Sequence, residues 1–596
     1  MDFEIFKSFS KIIIWGFPLH THTHSYIHGA WVKTFKYLAL DTYWFHDKDY
    51  PSDFDFSNCL FITEGWADDN IPVRSDSTYF VHIAKNPSKY LDKGARLIEI
   101  RYNVYEIQDF NYSYKLPENP IYLSKDTLYE VVNDDSAVAH RRDREVNNKP
   151  YEVIYMYWAT DLLPYEFNYK DAELKRENKI YYIGSLGWGH PYYKFEKYVK
   201  QKGINITHIC PWNKPISYEE NMNLMKKSLC CPDFRTSGDN DKRLQYGNMN
   251  GTNHLDIGYI PCRVFKAISY GQTGITNSKR VKKILGDYVE YIESPEQALD
   301  IAIERMKDVE WRKCCMKYVA ENHTYLQRVR DLGRALMMNK YNATITTAVY
   351  DINRVKIDGR SIDDYKKWFI QTVKSNSLPI HIYLDEKLNW ENDILANRQG
   401  PTYIKKTSLN EIPMWKYRQT LDSILKNAEF KQRQKHPKDI TNLLTEYCLV
   451  QYSKFDWLLE TINVGKFNTI YNIWMDAGYS RFYNTSKVNR FIEPDDKSLK
   501  FWIQVGKSLD SLDNLTYDNY IGTNECIFKG GLWVLHRDII NEVKNLVLNI
   551  WEKEMMDKNR VDNEQIALAL LYKERPELFN TILGTDNSTL YNKFFI

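Results

Sequence analysis

The sequence predicts an α/β protein built from successive doubly wound units, and three observations predict it. Short runs of β-branched and aromatic residues, such as "KIIIWG" (11–16) and "PIHIYLD" (379–385), alternate with longer amphipathic spans. Several of these runs stop at Gly or Asp, where a strand hands over to a ligand-facing loop at its carboxyl end. No Gly/Ser linker, repeat or low-complexity segment interrupts the alternation. At 596 residues the chain exceeds one hydrophobic core.

Composition narrows the class. Apolar residues are 43% and charged residues 27%, which is ordinary for a globular protein. A net charge of +2 supplies no field for nucleic acid or an anionic membrane, so neither is expected as a partner. The 9 Cys include no C-x-x-C pair, which argues against a disulfide framework or structural zinc and for a reducing compartment. The N-terminus lacks the basic start of a signal peptide, and no run of apolar residues is long enough to form a transmembrane segment. The expectation is a soluble, cytoplasmic chain, with homo-oligomerisation left open. The 45 Tyr and 16 Trp suit sugar faces, but an AT-rich genome explains most of them, as in a parasite or in a large DNA virus acting in host cytoplasm.

Taken in order, "KIIIWG" is a buried strand ending at Gly16, and a helix is expected from about Ser25 to Leu40. The loop between them carries His20, His22, His24 and His28. An alternating H-x-H-x-H on an extended segment would put three imidazoles on one face. Zinc is one reading, but no carboxylate or Cys lies at ligand spacing, and a polar substrate-facing loop is preferred. Strands are expected at 59–65, 78–84, 96–102 and 151–159, and the charge run 134–149 reads as a solvated loop.

A second unit opens with "KIYYIGSLGWG" (179–189), a strand and a Gly-rich turn holding Gly184, Ser185 and Gly187. In "GYIPCRVFKAISYGQTGITNS" (258–278), Pro261 starts a helix that places Arg263 and Lys266 on one face near its N-terminus. That is a diphosphate cradle, or equally an amphipathic helix with two solvated bases. The small-residue strand that follows carries Thr276 and Asn277.

The third unit begins near residue 341, with strands ending at Asp351 and Asp385 and an amphipathic helix between them bearing Tyr365, Trp368, Phe369 and Val373. A long helical span (441–462) leads into "YNIWMDAGYSRFYN" (471–484), a buried strand ending in a turn whose first polar residue is Asp476. Asp476 is placed to hold a divalent ion or a diphosphate–metal complex, with Arg481 as charge partner; the alternative is a turn cap. Gly530 and Gly531 in "FKGGLWVLHRD" would let an acceptor sugar approach backbone. His536 fits a hydrogen-bonded structural histidine better than a ligand.

Two resemblances add to this reading. The "W-M-D-A-G" turn, the "G-G" strand, "D-N-E-Q" at 562–565 and the opening strand "ATITTAVYDINR" (343–354) resemble the HtrL/YibB family, glycosyltransferase-like proteins of the GT-A fold. "R-V-F-K-A-I-S-Y-G" and "ENHTYLQRVRDLGRAL" (321–336) resemble group 1, CgeB-like glycosyltransferases of the GT-B fold, although Lys266 stands where that family often has Glu.

Together they imply a GT-B pair of Rossmann-like domains (1–165 and 166–340) followed by a GT-A-like α/β domain (341–596). They further imply a bifunctional glycosyltransferase adding sugars from nucleotide-sugar donors to a glycan or glycoprotein acceptor. The rivals are a single active GT-A-like transferase with a degenerate, acceptor-binding GT-B half, and a carbohydrate-binding protein without turnover. Donor contacts would come from Gly184, Ser185, Gly187, Arg263, Lys266, Thr276, Asn277, Asp351, Arg354, Asp385 and Arg481. Acceptor contacts would come from His20, His22, His28, Gly530 and Gly531. Glu564, Asp562 or His24 would act as base, with first-turn complementing of the helix dipole as the other reading of the two acids. A divalent cation, Mn or Mg, is expected at Asp476 and none in the GT-B half.

Overall fold

The computed structural model describes residues 3–21, 24–101, 120–132, 149–184, 186, 190–211, 213–234, 260, 262–495, 498–506, 509–512 and 516–596. It divides into two compact units, Met1–Pro120 with Asp126–Leu336, and Ile121–Lys125 with Met337–Ile596. Both are mixed α/β structures whose sheets are largely parallel. His22, Ser185, Gly187, Pro261 and nearly all of the 134–149 charge run lie outside the described residues.

In the first unit, β1 (Lys11–Trp15), β2 (Thr42–Phe45), β3 (Cys59–Glu64), β4 (Thr78–His82) and β5 (Arg96–Arg101) are joined by β7 (Leu128–Val132) and β8 (Tyr151–Tyr155). β6 (Ile121–Tyr122) belongs to the second unit. The order is β7-β8-β5-β4-β3-β1-β2, parallel except for β7. β3, β4 and β8 are buried along their whole length, as strands covered on both faces are. The helix Ser25–Tyr37 covers the sheet with Ile27, Trp31 and Phe35.

The remainder of this unit holds β9 (Lys179–Ile183), β10 (Asn205–Ile209), β11 (Ile275–Thr276) and β12 (Glu290–Tyr291). A second Rossmann-like sheet was the expectation here. Among the described residues the strands form two parallel pairs, β9–β10 and β11–β12. Asp233 contributes an isolated bridge to Thr276. The "HTY-x-x-R" segment is not one helix: His323 and Thr324 break it between Val309–Asn322 and Tyr325–Met337. At the break His323 accepts from the Thr160 N–H, and Arg328 donates to the Tyr157 and Trp158 carbonyls.

The second unit contains β13 (Ala343–Val349), β14 (Ile380–Asp385), β15 (Thr402–Thr407), β16 (Tyr471–Met475), β17 (Phe501–Val505), β18 (Phe528–His536) and β19 (Phe579–Leu583). Its order is β19-β17-β18-β16-β13-β14-β15-β6. β16, β13, β14 and β15 run parallel, while β18 is antiparallel to both β16 and β17. The helix Thr445–Val464 lies on the sheet, and Trp457 stacks between Tyr350 and Trp474 at ring separations of 5.6 and 6.0 Å. Ser361 and Asp364 close a capping box at the start of the helix Ile362–Lys374. Phe369 and Val373 are buried there, whereas Tyr365 and Trp368 are only half-buried. Among the described residues no helix is long and apolar enough to cross a membrane.

Candidate functional site

In the second unit, β13 and β16 pair directly, with Thr346 opposite Trp474, so their carboxyl ends open side by side. The chain leaves β13 through Asp351 and Arg354 and leaves β16 through Asp476 and Gly478. A cleft of about 270 Å³ lies between these exits. Asn353, at φ +56°, turns the first loop back towards it in the left-handed region that Asn tolerates.

Three guanidinium groups line the cleft, those of Arg354, Arg360 and Arg481. Arg354 pairs with Asp358 and donates to the Tyr365 hydroxyl at 2.7 Å. Arg360 lies 3.8 Å from the same carboxylate. Arg481 stacks 4.4 Å from the Trp368 ring and donates to the Gly478 carbonyl at 2.8 Å, and has no ion pair among the described residues. Burial, together with the positive charges of Arg360 and Arg354, holds the Arg481 guanidinium below its usual pKa against Tyr365 and Asp476. Arg354 and Arg360 share the Asp358 carboxylate, and Asp351 and Asp476 lie in the same lining, so guanidinium donors and carboxylates meet in one cleft.

Behind the cleft sits a residue that the sequence reading missed. Lys454, 1% exposed, places Nζ 3.0 Å from Asp476 Oδ1, 2.9 Å from Glu564 Oε1 and 3.1 Å from the Gly530 carbonyl. Its three protons thus have three acceptors, which lets a buried ammonium persist. Burial disfavours its charge, yet Asp476 and Glu564 raise its pKa overall. Trp474 Nε1 donates to the same Asp476 oxygen at 2.8 Å. The signal in the sequence was a lysine inside the strongly apolar run "CLVQYSKFDWLL". Arg360, also missed, stands just before the capping box and carries no motif.

The expected residues of this unit separate into two groups. Asp351, Arg354, Asp476 and Arg481 meet in the cleft. Asp385 does not: it is 1% exposed, and its oxygens accept from the backbone N–H groups of Asp351 and Lys387. Asp562 is fully buried and accepts from the N–H groups of Gly522, Asn524 and Asn563, stapling a loop to the last long helix. Burial pushes its pKa up to about 7, with those three donors opposing. Glu564 is also buried, outside the cleft lining. Burial raises its pKa against the pull of Lys454, and Oε2 finds no partner among the described residues.

The glycine pair serves packing. A Cβ on Gly530 would lie 2.3 Å from Glu564 Oε1, and one on Gly531 would lie 3.0 Å from the Tyr479 ring. The space expected for a sugar is therefore filled by protein at both positions. His536 pairs with Tyr471, at the end of β16 opposite Asp476.

As a cation site the cleft offers Asp476 Oδ2, because Oδ1 is engaged by Lys454 and Trp474. Among the described residues no group of three metal-ligating side chains includes it. This donor set fits an Mg or Mn ion arriving with a diphosphate, which needs only one or two carboxylates, and not a resident ion.

In the first unit Gly184, Arg263 and Lys266 line a pocket of about 150 Å³, and both cations also engage protein groups. The helix Arg263–Ser269 has only 7 residues. Arg263 donates to the Ile183 carbonyl at 2.7 Å and lies over the Tyr182 ring, against Gly184, whose φ is +140°. Lys266 is buried, 3.5 Å from Asp161, between the Tyr26 and Tyr218 rings. Thr276 is buried and donates to Asp233 at 3.2 Å; Asn277, next to it, is half-buried.

The histidine segment is not extended at its functional end. His24 is the N-cap of the helix Ser25–Tyr37 and His28 lies one turn on, so both reach Glu64 from one face. His28 Nε2 is 2.8 Å from Glu64 Oε1, and His24 Nδ1 contacts Oε2. A Cβ on Gly16 would lie 2.0 Å from the His28 ring, so the glycine ending β1 makes room for that histidine. His20 departs to Tyr26, 3.2 Å from its hydroxyl. Burial works against the Glu64 charge, but His24 and His28 outweigh it and hold the carboxyl well below its usual range. His82, the neighbour of Glu64 in register, completes the cluster.

Residues 341–593 match the family model described as "Bacterial protein of unknown function (HtrL_YibB)". The chain is 29% identical over 259 residues to Protein HtrL of Escherichia coli (strain K12), covering 40% of this chain and 87% of that protein. Among solved structures it is similar to core-mannan synthase A (CmsA/Ktr4) from Aspergillus fumigatus in its Mn/GDP form, at 9% identity and TM-score 0.25. That alignment covers 40% of this chain and 72% of the synthase. A glycosyltransferase involved in glycosylating the major capsid of PBCV-1 aligns at 11% identity and TM-score 0.19, over 41% of this chain and 81% of the enzyme. TM-scores this low establish no shared fold.

Proposed function

We propose that the second unit is a nucleotide-sugar-dependent glycosyltransferase whose donor diphosphate occupies the cleft of Arg354, Arg360 and Arg481. The supporting observation is this cluster of three guanidinium groups, Arg481 without an ion pair among the described residues, facing Asp476 at the carboxyl ends of two adjacent parallel strands. Departure of a nucleoside diphosphate builds negative charge on its outer phosphate, and fixed guanidinium donors stabilise that charge without reorganising. Asp476 is held from behind by Lys454, which leaves Oδ2 turned to the ligand side; a cation travelling with the donor would add further charge offset there. Lys454 and Glu564 act as positioning residues, since neither oxygen of Glu564 reaches the cleft. Tyr365 and Trp368 flank the arginines with aromatic faces suited to a base or a sugar ring.

This reading favours a single transferase over the two-enzyme arrangement. In the first unit Arg263 and Lys266 are already neutralised or packed by protein groups. The test is a panel of UDP-, GDP- and dTDP-sugars, scored for hydrolysis, transfer and thermal shift. One donor class is expected to bind and turn over, with both signals lost in Arg481→Ala and Asp476→Asn and kept in Arg263→Lys. Binding without turnover across acceptors points to the carbohydrate-binding rival. Two activities, each abolished by a change in a different unit, restore the bifunctional reading.

A further inference from the structure

We propose that His24, Glu64 and His82 of the first unit form a binding site for one divalent transition-metal ion, with zinc as the first candidate. The ligand atoms of the three side chains all lie within 4.8 Å of one another. Tetrahedral zinc with bonds of about 2.0–2.2 Å holds its ligands about 3.4 Å apart, so small side-chain rotations bring the three into range. Two imidazoles and one carboxylate are a ligand set that zinc and iron(II) both accept.

The backbone places these groups independently of any ion. Glu64 and His82 end β3 and β4 and are partners in the parallel register, so their side chains leave the sheet on the same face. His24 comes from the N-cap of the helix that follows β1, the strand next to β3. All three therefore converge at the carboxyl ends of consecutive parallel strands, where α/β sheets hold their ligands.

Three further observations set the cluster apart from an ordinary buried ion pair. His28 holds the second Glu64 oxygen at 2.8 Å, as an outer partner orients a ligating carboxylate. Directly after His82, Ile83 adopts φ +52°, a left-handed conformation that a β-branched residue takes only under strain. Trp158 packs its ring 4.8 Å from His82 and 5.9 Å from His24, fixing both imidazoles. The carbonyl of Trp158 is held in turn by Arg328.

Glu64 and His82 are almost wholly buried, while the His24 side chain keeps 13% of its surface. The ion would be reached past His24 and would keep a coordination position on that side. Two neutral imidazoles and one carboxylate leave a dipositive ion with a net single positive charge. The open position thus suits water, a hydroxyl or an oxyanion, which the ion would polarise as a Lewis acid. This inference does not rest on sugar transfer in the second unit.

The test uses the full-length chain, stripped with chelator and titrated with Zn²⁺ by calorimetry, with metal content after desalting measured by mass spectrometry. Co²⁺ serves as the spectroscopic probe of coordination. One ion per chain is expected, together with a rise in unfolding temperature and an intense visible Co²⁺ band of low-coordinate geometry. Glu64→Gln and His82→Ala are expected to abolish stoichiometric uptake, and His28→Ala to weaken it about 10–100-fold. Asp476→Asn, in the other unit, leaves uptake unchanged. Circular dichroism reports whether the variants fold; if His82→Ala does not, His24→Ala on the part-exposed ligand decides. No stoichiometric Zn²⁺ uptake by the wild-type chain overturns the proposal, as does uptake that survives in folded ligand variants.

Discussion

Lys454 Nζ lies 2.9 Å from Glu564 Oε1, and each side chain is only 1% exposed. This contact joins the long helix over the sheet to the start of the last long helix and supports Asp476 at the cleft. Removing the ammonium alone would strand a buried carboxylate. Lys454→Met is expected to cost about 3–5 kcal/mol, read from urea unfolding. Glu564→Gln, which keeps a hydrogen-bond acceptor for the lysine, is expected to cost about 1–3 kcal/mol.

Gly530 and Glu564 form a second such dependence. A methyl group at Gly530 would meet Glu564 Oε1 at 2.3 Å, so Gly530→Ala must displace either the carboxylate or the strand. A loss of about 1–3 kcal/mol is expected, with lower donor affinity because Lys454 and Asp476 follow Glu564. Thermal unfolding and donor titration on the same sample check both effects.

His381 carries a pH signature. It is buried in β14, its ring centroid 4.5 Å from Tyr383 and 4.4 Å from Tyr403, with no hydrogen-bond partner for either nitrogen among the described residues. Burial, helped by Lys405 and Lys466, lowers its pKa from 6.5 to about 3. The unfolded chain therefore takes up this proton before the folded one does. Stability tied to His381 is complete above pH 6.5 and is lost as pH falls towards 3. His381→Phe is expected to match the wild type near neutrality and to gain on it progressively across that window. Urea midpoints measured at a series of pH values check the slope.

Arg360 is solvent-exposed, its side chain keeping 45% of its surface, so its contribution to an anion should be mainly long-range charge. Arg360→Ala is expected to weaken UDP or GDP binding about tenfold at low salt, a difference that shrinks as ionic strength rises. The unfolding temperature should not move. Calorimetry at two salt concentrations reads both the loss and its screening.

Much of the second unit was legible in the chain itself. Short runs rich in β-branched and aromatic residues identified β13, β14 and β16, and the residue leaving β16, Asp476, was recognisable as lying at a strand's carboxyl end, where parallel sheets present residues to ligands. The helix Ile362–Lys374 was announced by its amphipathic stripe. Asp562, Asp385 and Gly530 were misjudged for one reason. A short acid or a glycine near a strand end looks alike in sequence whether it faces a ligand or satisfies buried backbone and packing.

By itself the sequence determined the alternation of strands and helices, the residues leaving the strands, and the position of the histidine-rich loop, because these follow from local periodicity and turn chemistry. Only the tertiary structure decided which charges stay available. It tied Arg263 and Lys266 to protein partners, inserted Lys454 between Asp476 and Glu564, and brought Glu64 and His82 to His24 from strands far along the chain. The physical reason is that a buried charge takes its character from partners distant in sequence, and no local pattern records who those partners are.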